Sequence, residues 1–292
     1  MRFARSEFTY LFLSGRDPDV RELLKLQTAS GYLDKRYVTP YFQQNHTDIC
    51  ENLQGLLRRE PVRTAWIYWA QGMQRAPYIV QKCVDSAQRA FRAKGWEVKI
   101  LDLETVKRYV SLPAYVWDKY KAGTIKDAHL SDLIRVCLLT GRGGCWVDAT
   151  VFFTGGLPEY VYSRELFAYR GDMRNNRYSN ISNWMIYSIN DHPLLTAVRD
   201  ILLRYWEKEE ILIQYFAFHL VFKLVTDHFA EYWETLPVFS NVPPHVMQYR
   251  LLKPYSETEY RDICSMSAVH KLYWRIPDHA PENSFYQKMF SK

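Results

Sequence analysis

Residues 64–101 read TAWIYWAQGMQRAPYIVQKCVDSAQRAFRAKGWEVKIL. The run Thr64 to Trp69 is β-type, bounded by Pro61 and by Gln71-Gly72. Ala76-Pro77 then opens a helical pattern in which Ile79, Val80, Cys83, Val84, Ala87 and Phe91 recur at the spacing of one helix face. Gly95 ends it, and Trp96 to Leu101 alternates in the strand manner. Strand, helix and strand in that order form a β-α-β unit, which needs parallel strands with a covering helix. The spacing predicts an α/β domain.

Downstream, residues 126–140 read as a helix, Gly141 to Gly144 as its break, and Cys145 to Phe153 as a strand ending at Gly155-Gly156. Leu166 to Tyr169 is strand-like, Gly171 to Tyr178 a polar loop, and Trp184 to Tyr187 a strand or turn. Helices follow from about 193 to 210 and from 211 to 233, then a Pro-rich loop at Pro243-Pro244 and a short tail. Upstream, residues 1–60 read as short helical segments, with a polar loop at Gln43-Gln44-Asn45-His46 and helix-compatible Leu53, Leu56 and Leu57. The predicted organisation is a helical N-terminal extension over 1–60 and one α/β domain over 61–292, with a helical insertion at about 193–235. There is no internal repeat and no low-complexity linker.

Composition narrows the function classes. The chain has 292 residues, 48% hydrophobic and 24% charged, which excludes disorder and collagen-like repeats. Lys+Arg number 38 against Asp+Glu 32, but the basic residues are scattered or paired, as in Arg58-Arg59 and Lys107-Arg108. A nucleic-acid partner is therefore not expected; a mild attraction to anionic substrates or to an anionic membrane surface is. Aromatic residues make up 16%, so rings must reach surfaces or clefts, where they suit sugars and bases. Cys50, Cys83, Cys137, Cys145 and Cys264 have no zinc-like spacing and point to a reduced compartment. Met1 to Gly15 lacks a signal-peptide pattern, so secretion is not expected. The apolar stretch from Ile211 to Val225 is interrupted by Gln214, His219 and Lys223 and falls short of the roughly 20 residues of a bilayer span. It reads as a helix buried in the domain.

The chemistry-bearing stretch runs from His129 to Thr150. On a helix, His129, Asp132 and Arg135 line one stripe, while Leu133, Val136, Cys137 and Leu138 supply apolar contacts. Gly143-Gly144 turns the chain, and Asp148 emerges at a strand end, where α/β proteins build their ligand crevices. An ionised Asp there can meet a ribose hydroxyl or a divalent cation, and a cation bridging two phosphates neutralises a departing diphosphate. Such placement suits glycosyl transfer. The sequence lacks GxSxG, Walker, GxGxxG and HExxH patterns. Asn45-His46-Thr47 and Asn180-Ile181-Ser182 match a glycosylation pattern only formally.

The His129 to Thr150 run, with its Ser-Asp-x-x-Arg, Gly-Gly pair and Asp-x-Asp-like triplet, resembles the nucleotide-sugar signature of the glycosyltransferases that include the yeast mannosyltransferase and the glucosylating clostridial toxins. The wider order is more specific. Tyr68-Trp69-Ala70-Gln71-Gly72, Ala76-Pro77, Cys83, Ser86, Leu112-Pro113, His129 to Arg135, Asp148-Ala149-Thr150 and Val269-His270-Lys271-Leu272 resemble the bacterial capsular polysaccharide synthesis proteins over about residues 64–275.

The resemblance implies a GT-A domain, a Rossmann-like sheet holding a nucleoside-diphosphate sugar, with UDP the expected nucleotide. Asp132 and Arg135 inherit donor-sugar contacts, Trp69 the ring that stacks on the base, and Asp148 the acidic position of the catalytic triplet. Asn183 and Asp172 lie where such folds place acceptor and donor contacts. A divalent cation, Mn2+ or Mg2+, is expected at Asp148, Thr150 and His270, although Thr150 stands where the toxins carry a carboxylate; Lys271 is placed to meet phosphate. Retention at the anomeric carbon is suggested by the toxin group, and the residues themselves do not decide between retention and inversion. The expected acceptor is a capsular or surface glycan, free or lipid-linked. The expected location is cytoplasmic, with peripheral contact at the inner membrane face. A catalytically silent nucleotide-sugar or glycan binder of the same fold is the alternative.

Overall fold

The computed structural model describes residues 39–46, 61–171, 181–277 and 280–290. Leu53, Leu56, Leu57 and Asp172 lie outside these residues, as does most of the expected N-terminal extension.

The helices and strands, in chain order, are α1 (Thr39–His46), β1 (Thr64–Tyr68), α2 (Tyr78–Arg92), β2 (Glu97–Leu101), α3 (Ala114–Lys121), α4 (Asp127–Arg142), β3 (Gly144–Val147), β4 (Val151–Phe153), β5 (Leu166–Ala168), β6 (Met185–Ser188), α5 (Pro193–Lys208), α6 (Ala217–His228), α7 (Ala230–Trp233), α8 (Val242–Arg250), α9 (Glu257–Met266), β7 (Val269–Lys271) and α10 (Phe285–Phe290). The main sheet has the order β2-β1-β3-β6-β5, and β4 pairs with β7 in a separate two-stranded sheet. β2, β1 and β3 are parallel, while β6 runs antiparallel to both β3 and β5. The expected α/β class is the one observed, a mixed five-stranded sheet with helices packed on both faces.

Alternation along the strands builds two cores, one on each face of the sheet. Trp66, Tyr68, Trp146 and Ile186 point to a layer formed with α3, α4, α5 and α6. Ala65, Ile67, Cys145, Val147, Met185 and Tyr187 point to the opposite layer, with α2 and residues of α8, α9 and α10. A strand buried on both faces is apolar at both parities, which is why β1 and β3 carry almost no polar side chain.

The glycine pair sets the approach of α4 to β3. Gly143 and Gly144 adopt φ of 68° and 101°. A Cβ on Gly144 would collide with the Thr64 carbonyl oxygen, and one on Gly143 would lie 2.7 Å from the Asn190 amide nitrogen. Only glycine lets β3 begin that close to β1. The indole N–H of Trp66 then donates to the Gly143 carbonyl at 2.8 Å.

Several expectations are corrected. The polar loop at residues 43–46 is the second half of α1, whose Tyr41 and Phe42 pack against Tyr205. The strand expected over 145–153 is two strands in different sheets, broken by a turn at Ala149-Thr150. The second long helix begins only at Ala217, after an irregular connection over residues 211–216, and Phe229, at φ −103° and ψ 37°, divides it into α6 and α7. Pro243-Pro244 is the first turn of α8, where the missing amide hydrogens have no intrahelical partner to lose. The supposed tail holds α9, β7 and α10.

Candidate active site at the end of β3

β1, β2 and β3 are parallel, so their C-terminal ends share one edge of the sheet, where ligand crevices form in α/β proteins. Asp148 follows β3 at that edge, its amide donating to the Trp184 carbonyl at 2.8 Å. Arg135, seven residues before the end of α4, reaches it from the preceding helix: Nη2 donates to Asp148 Oδ1 at 3.1 Å and Nη1 to Asp132 Oδ1. The Arg135 side chain is 4% exposed, Asp132 14% and Asp148 24%. The guanidinium is thus the buried tie, and the two carboxylates are half-buried.

Further donors fix both acids. The Trp146 indole N–H donates to Asp148 Oδ1 at 2.9 Å. Asn183 Nδ2 donates to Asp132 Oδ1 at 3.0 Å. His129 Nδ1 stands 3.9 Å from Asp132 Oδ2, and its ring meets the exposed Tyr215 at 5.4 Å. Arg135 also lies over the Trp146 and Phe218 rings, at 4.9 and 5.4 Å from their centroids. Burial by itself raises the Asp148 carboxyl, but the Lys271 and Arg135 charges and the Trp146 N–H outweigh it and hold the group below its ordinary value. Asp148 is a carboxylate at neutral pH.

Lys271 enters from β7, on the other sheet. Its Nζ is 3.3 Å from Asp148 Oδ2 and donates to Thr150 Oγ1. The β4–β7 ladder, with Val151 opposite Lys271 and Phe152 opposite His270, holds it there, and the Leu272 amide donates to the Thr150 carbonyl at 2.9 Å. Successive strand residues face opposite ways. His270 therefore points away from Asp148; it is fully buried, with Nε2 2.9 Å from Thr154 Oγ1, and burial pushes its imidazole down to about 4.

The structure thus brings Asp132, Arg135, Asp148, Thr150, Asn183 and Lys271 together, and leaves His270 outside. Trp69 stands at the same sheet edge, directly after β1, with its ring edge-on to Trp274 at 5.7 Å. Beside it opens a cleft of about 480 Å3 lined by residues 71–75 and 100–102. Asp102 borders this cleft. Its Oδ1 accepts from the Thr105 and Glu104 amides and the Thr105 hydroxyl, and the Thr105 bonds lead in holding its carboxyl below the ordinary value.

These donors do not suit a divalent cation. Asp148 Oδ1 already accepts from Arg135 and Trp146, while Oδ2 and the Thr150 hydroxyl both face the Lys271 ammonium. With His270 turned away, no group of three or more His, Cys, Asp or Glu among the described residues is placed to hold a metal ion. A hard cation wants several oxygen ligands at close range, and here an ammonium takes the position between the two best candidates.

Sequence reasoning overlooked Trp146, Asp102 and His219. Trp146 could have been found from parity, since residues 146 and 148 share one face of an extended chain. His219, on α6, faces the charges of Asp132, Arg135 and Asp148, and burial, ahead of those charges, pushes it down to about 4; its position depends on a fold contact that spacing does not reveal.

Acidic groups tied by a buried guanidinium, at the C-terminal end of parallel strands, stand where α/β proteins build their ligand crevices. Within that class the chain belongs to the capsular polysaccharide synthesis protein family, whose model matches residues 23–289. It is similar to the O-glycosyltransferase PaGT of Phomopsis amygdali, with 26% identity over 161 residues, 49% of this chain and 39% of that protein. It is also similar to the glycosyltransferase afumC of Aspergillus fumigatus (strain CBS 144.89 / FGSC A1163 / CEA10), with 35% identity over 94 residues, 30% of this chain and 24% of that protein. The matched segments span well under half the length of these curated relatives. Among solved structures, the PaToxG glycosyltransferase overlaps 71% of this chain and 85% of its own at 14% identity, with a TM-score of 0.40. Among the described residues, no helix is long and apolar enough to cross a membrane.

Proposed function

We propose that this protein is a glycosyltransferase that moves a sugar from a nucleotide-sugar donor, with UDP as the nucleotide, to a hydroxyl of a glycan or lipid-linked glycan. The observation that carries the reading is the Asp132–Arg135–Asp148 cluster at the C-terminal edge of the parallel strands, in a chain of this family. The glycosyltransferase names of both relatives support it, and the O-glycosyltransferase among them supports a hydroxyl acceptor.

The nucleoside occupies the cleft between the ends of β1 and β2, where Asp102 takes a ribose hydroxyl and Trp69 flanks the base. The sugar then lies over Asp132 and Asp148, whose remaining lone pairs accept its hydroxyls. Arg135 is a positioning residue, since both of its terminal nitrogens are committed to the acids. Exposed Ile211, Tyr215 and Phe216, with Tyr215 against His129, offer rings and apolar surface to the acceptor. In the reaction the bond from the anomeric carbon to the diphosphate oxygen breaks, with its electron pair leaving on the diphosphate. The acceptor oxygen forms the new bond, and its proton passes to the departing diphosphate, a course that fits retention and needs no separate base.

UDP release from UDP-glucose, UDP-galactose and UDP-N-acetylglucosamine tests the reading. The wild type is expected to release UDP from at least one, and Asp148→Asn and Asp132→Asn to lose about 10²-fold or more in rate with unchanged circular dichroism. Failure of the wild type to bind or cleave any nucleotide sugar would overturn it, and binding without cleavage would favour the silent binder.

A further inference from the structure

We infer that the positive charge this site presents to the donor's diphosphate is the Lys271 ammonium and not a divalent metal ion, so that donor binding is independent of metal. The inference rests on the nucleotide-sugar reading above and adds to it the source of the charge. Lys271 Nζ lies between Asp148 Oδ2 and Thr150 Oγ1, the first and third positions of the Asp-Ala-Thr triplet. In an acidic triplet with carboxylates at both positions, that gap is where a cation would bridge them; here the third residue is a hydroxyl and the chain supplies its own cation.

The placement is built in. Lys271 is held by the β4–β7 ladder, with its side chain 20% exposed, against a carboxylate held ionised by two basic neighbours. An ammonium has three N–H donors. Two meet Thr150 and Asp148, and the third has no partner among the described residues. It is free to donate to a phosphate oxygen at the open side of the site. Charge balance points the same way: Asp132 and Asp148 are matched by Arg135 and Lys271, and a dication added beside those two cations would be repelled. A metal would have to expel the ammonium to gain one carboxylate oxygen and one hydroxyl.

Calorimetric titration of the full chain with UDP, in EDTA and again in MnCl2, tests this without any turnover. The wild type is expected to bind UDP with the same affinity in both buffers, within about twofold. Lys271→Met is expected to weaken binding by about tenfold or more in EDTA, and Lys271→Arg to recover most of the loss. The wild-type comparison needs no variant, so a misfolded Lys271→Met protein would not blunt it. Binding that requires Mn2+, or a folded Lys271→Met protein that binds as the wild type does, would overturn the inference and leave the nucleotide-sugar reading standing. Binding of UDP in neither buffer would remove the UDP site itself, and the inference with it.

Discussion

The Arg135 guanidinium donates from Nη2 to Oδ1 of Asp148 at 3.1 Å, joining the helix before the glycine turn to the strand end after it. Because its other terminal nitrogen holds Asp132, one planar fork sets the separation of both acids. Lys at this position has one charged nitrogen and cannot span the two carboxylates. Arg135→Lys is therefore expected to keep the fold but lose at least about tenfold in donor cleavage. Arg135→Met leaves the half-buried Asp132 without its guanidinium partner, while Asp148 keeps Lys271, and is expected to cost about 1–3 kcal/mol of stability, measured by urea denaturation. Wild-type rates in Arg135→Lys would show that the acids find their positions without the fork.

Trp146 acts on one oxygen of Asp148. Its indole N–H is among the interactions that keep this carboxyl below its ordinary value. A depressed carboxyl stabilises the fold fully above the ordinary carboxylate range, and the contribution fades as pH falls through the lowered, folded-state value. Trp146→Phe removes the donor, so the Asp148 carboxyl moves back toward its ordinary value and the acid loss sets in at higher pH. The stability change at neutral pH is expected to be about 1–2 kcal/mol from the lost bond. Melting temperatures of both proteins between pH 3 and 7 check the direction (about the carboxylate range); parallel curves would contradict it.

Two histidines predict a second, separate limb. His192 and His270 are fully buried, and burial pushes them down to about 3 and about 4. Unfolded histidine titrates near 6.5, so below that pH the unfolded chain binds protons that the folded chain refuses. Stability is then expected to fall from about pH 6.5 downward, by about 2 kcal/mol per histidine on reaching pH 5. His270→Gln is expected to flatten the slope over that range, because the unfolded chain loses one of those sites. A slope unchanged in the variant would mean that His270 is protonated in the folded protein.

The parts of this fold that could be read from the sequence are those with local causes. The β-α-β unit shows because its period changes from 2 to 3.6 and back within one stretch, with Gly95 (φ 74°) closing α2. Asp132, Arg135 and Asp148 were legible as a set because one helical turn and one glycine break separate them. What was missed depends on distant partners. Nothing near residue 150 announces that β4 leaves the main sheet for β7, more than a hundred residues on. His270 and Lys271 are equally attractive in a linear reading, and only the pairing of β7 decides which one faces Asp148. α9 is a different case, since its start was legible: Ser256 and Glu259 have capping-box spacing, and the Ser256 side chain accepts from the Glu259 amide.

Gly144 is the position where side-chain chemistry has least room. Its φ is 101°, and an added Cβ would meet the Thr64 carbonyl oxygen and lie 3.1 Å from Trp66 Nε1. Backbone strain and steric overlap add here, because neither the β1 backbone nor the buried indole can retreat. Gly144→Ala is expected to cost about 3 kcal/mol or more. Gly141→Ala, where nothing lies within 4 Å of the added carbon, is expected to be close to neutral or slightly stabilising. Equal melting temperatures for the two variants would be incompatible with the close approach of β3 to β1.

Ser86, in the ordered set of residues that carries the family resemblance, is a structural clasp. It is 2% exposed in α2, its hydroxyl donates to the Cys83 carbonyl at 2.6 Å, and it accepts the Phe153 amide at 2.9 Å. The second bond ties α2 to the last residue of β4, the strand whose pairing with β7 positions Lys271. Ser86→Ala leaves the buried Phe153 amide without its acceptor, at a cost of about 1–3 kcal/mol. Because β4 is only three residues long, the loosening should pass along the ladder to Lys271. The variant is therefore expected to lower the melting temperature and to weaken UDP binding severalfold, although the Ser86 hydroxyl bonds only to the Cys83 carbonyl and the Phe153 amide among the described residues. Loss of stability with UDP affinity fully retained would show that the β4–β7 ladder holds Lys271 in place without help from α2.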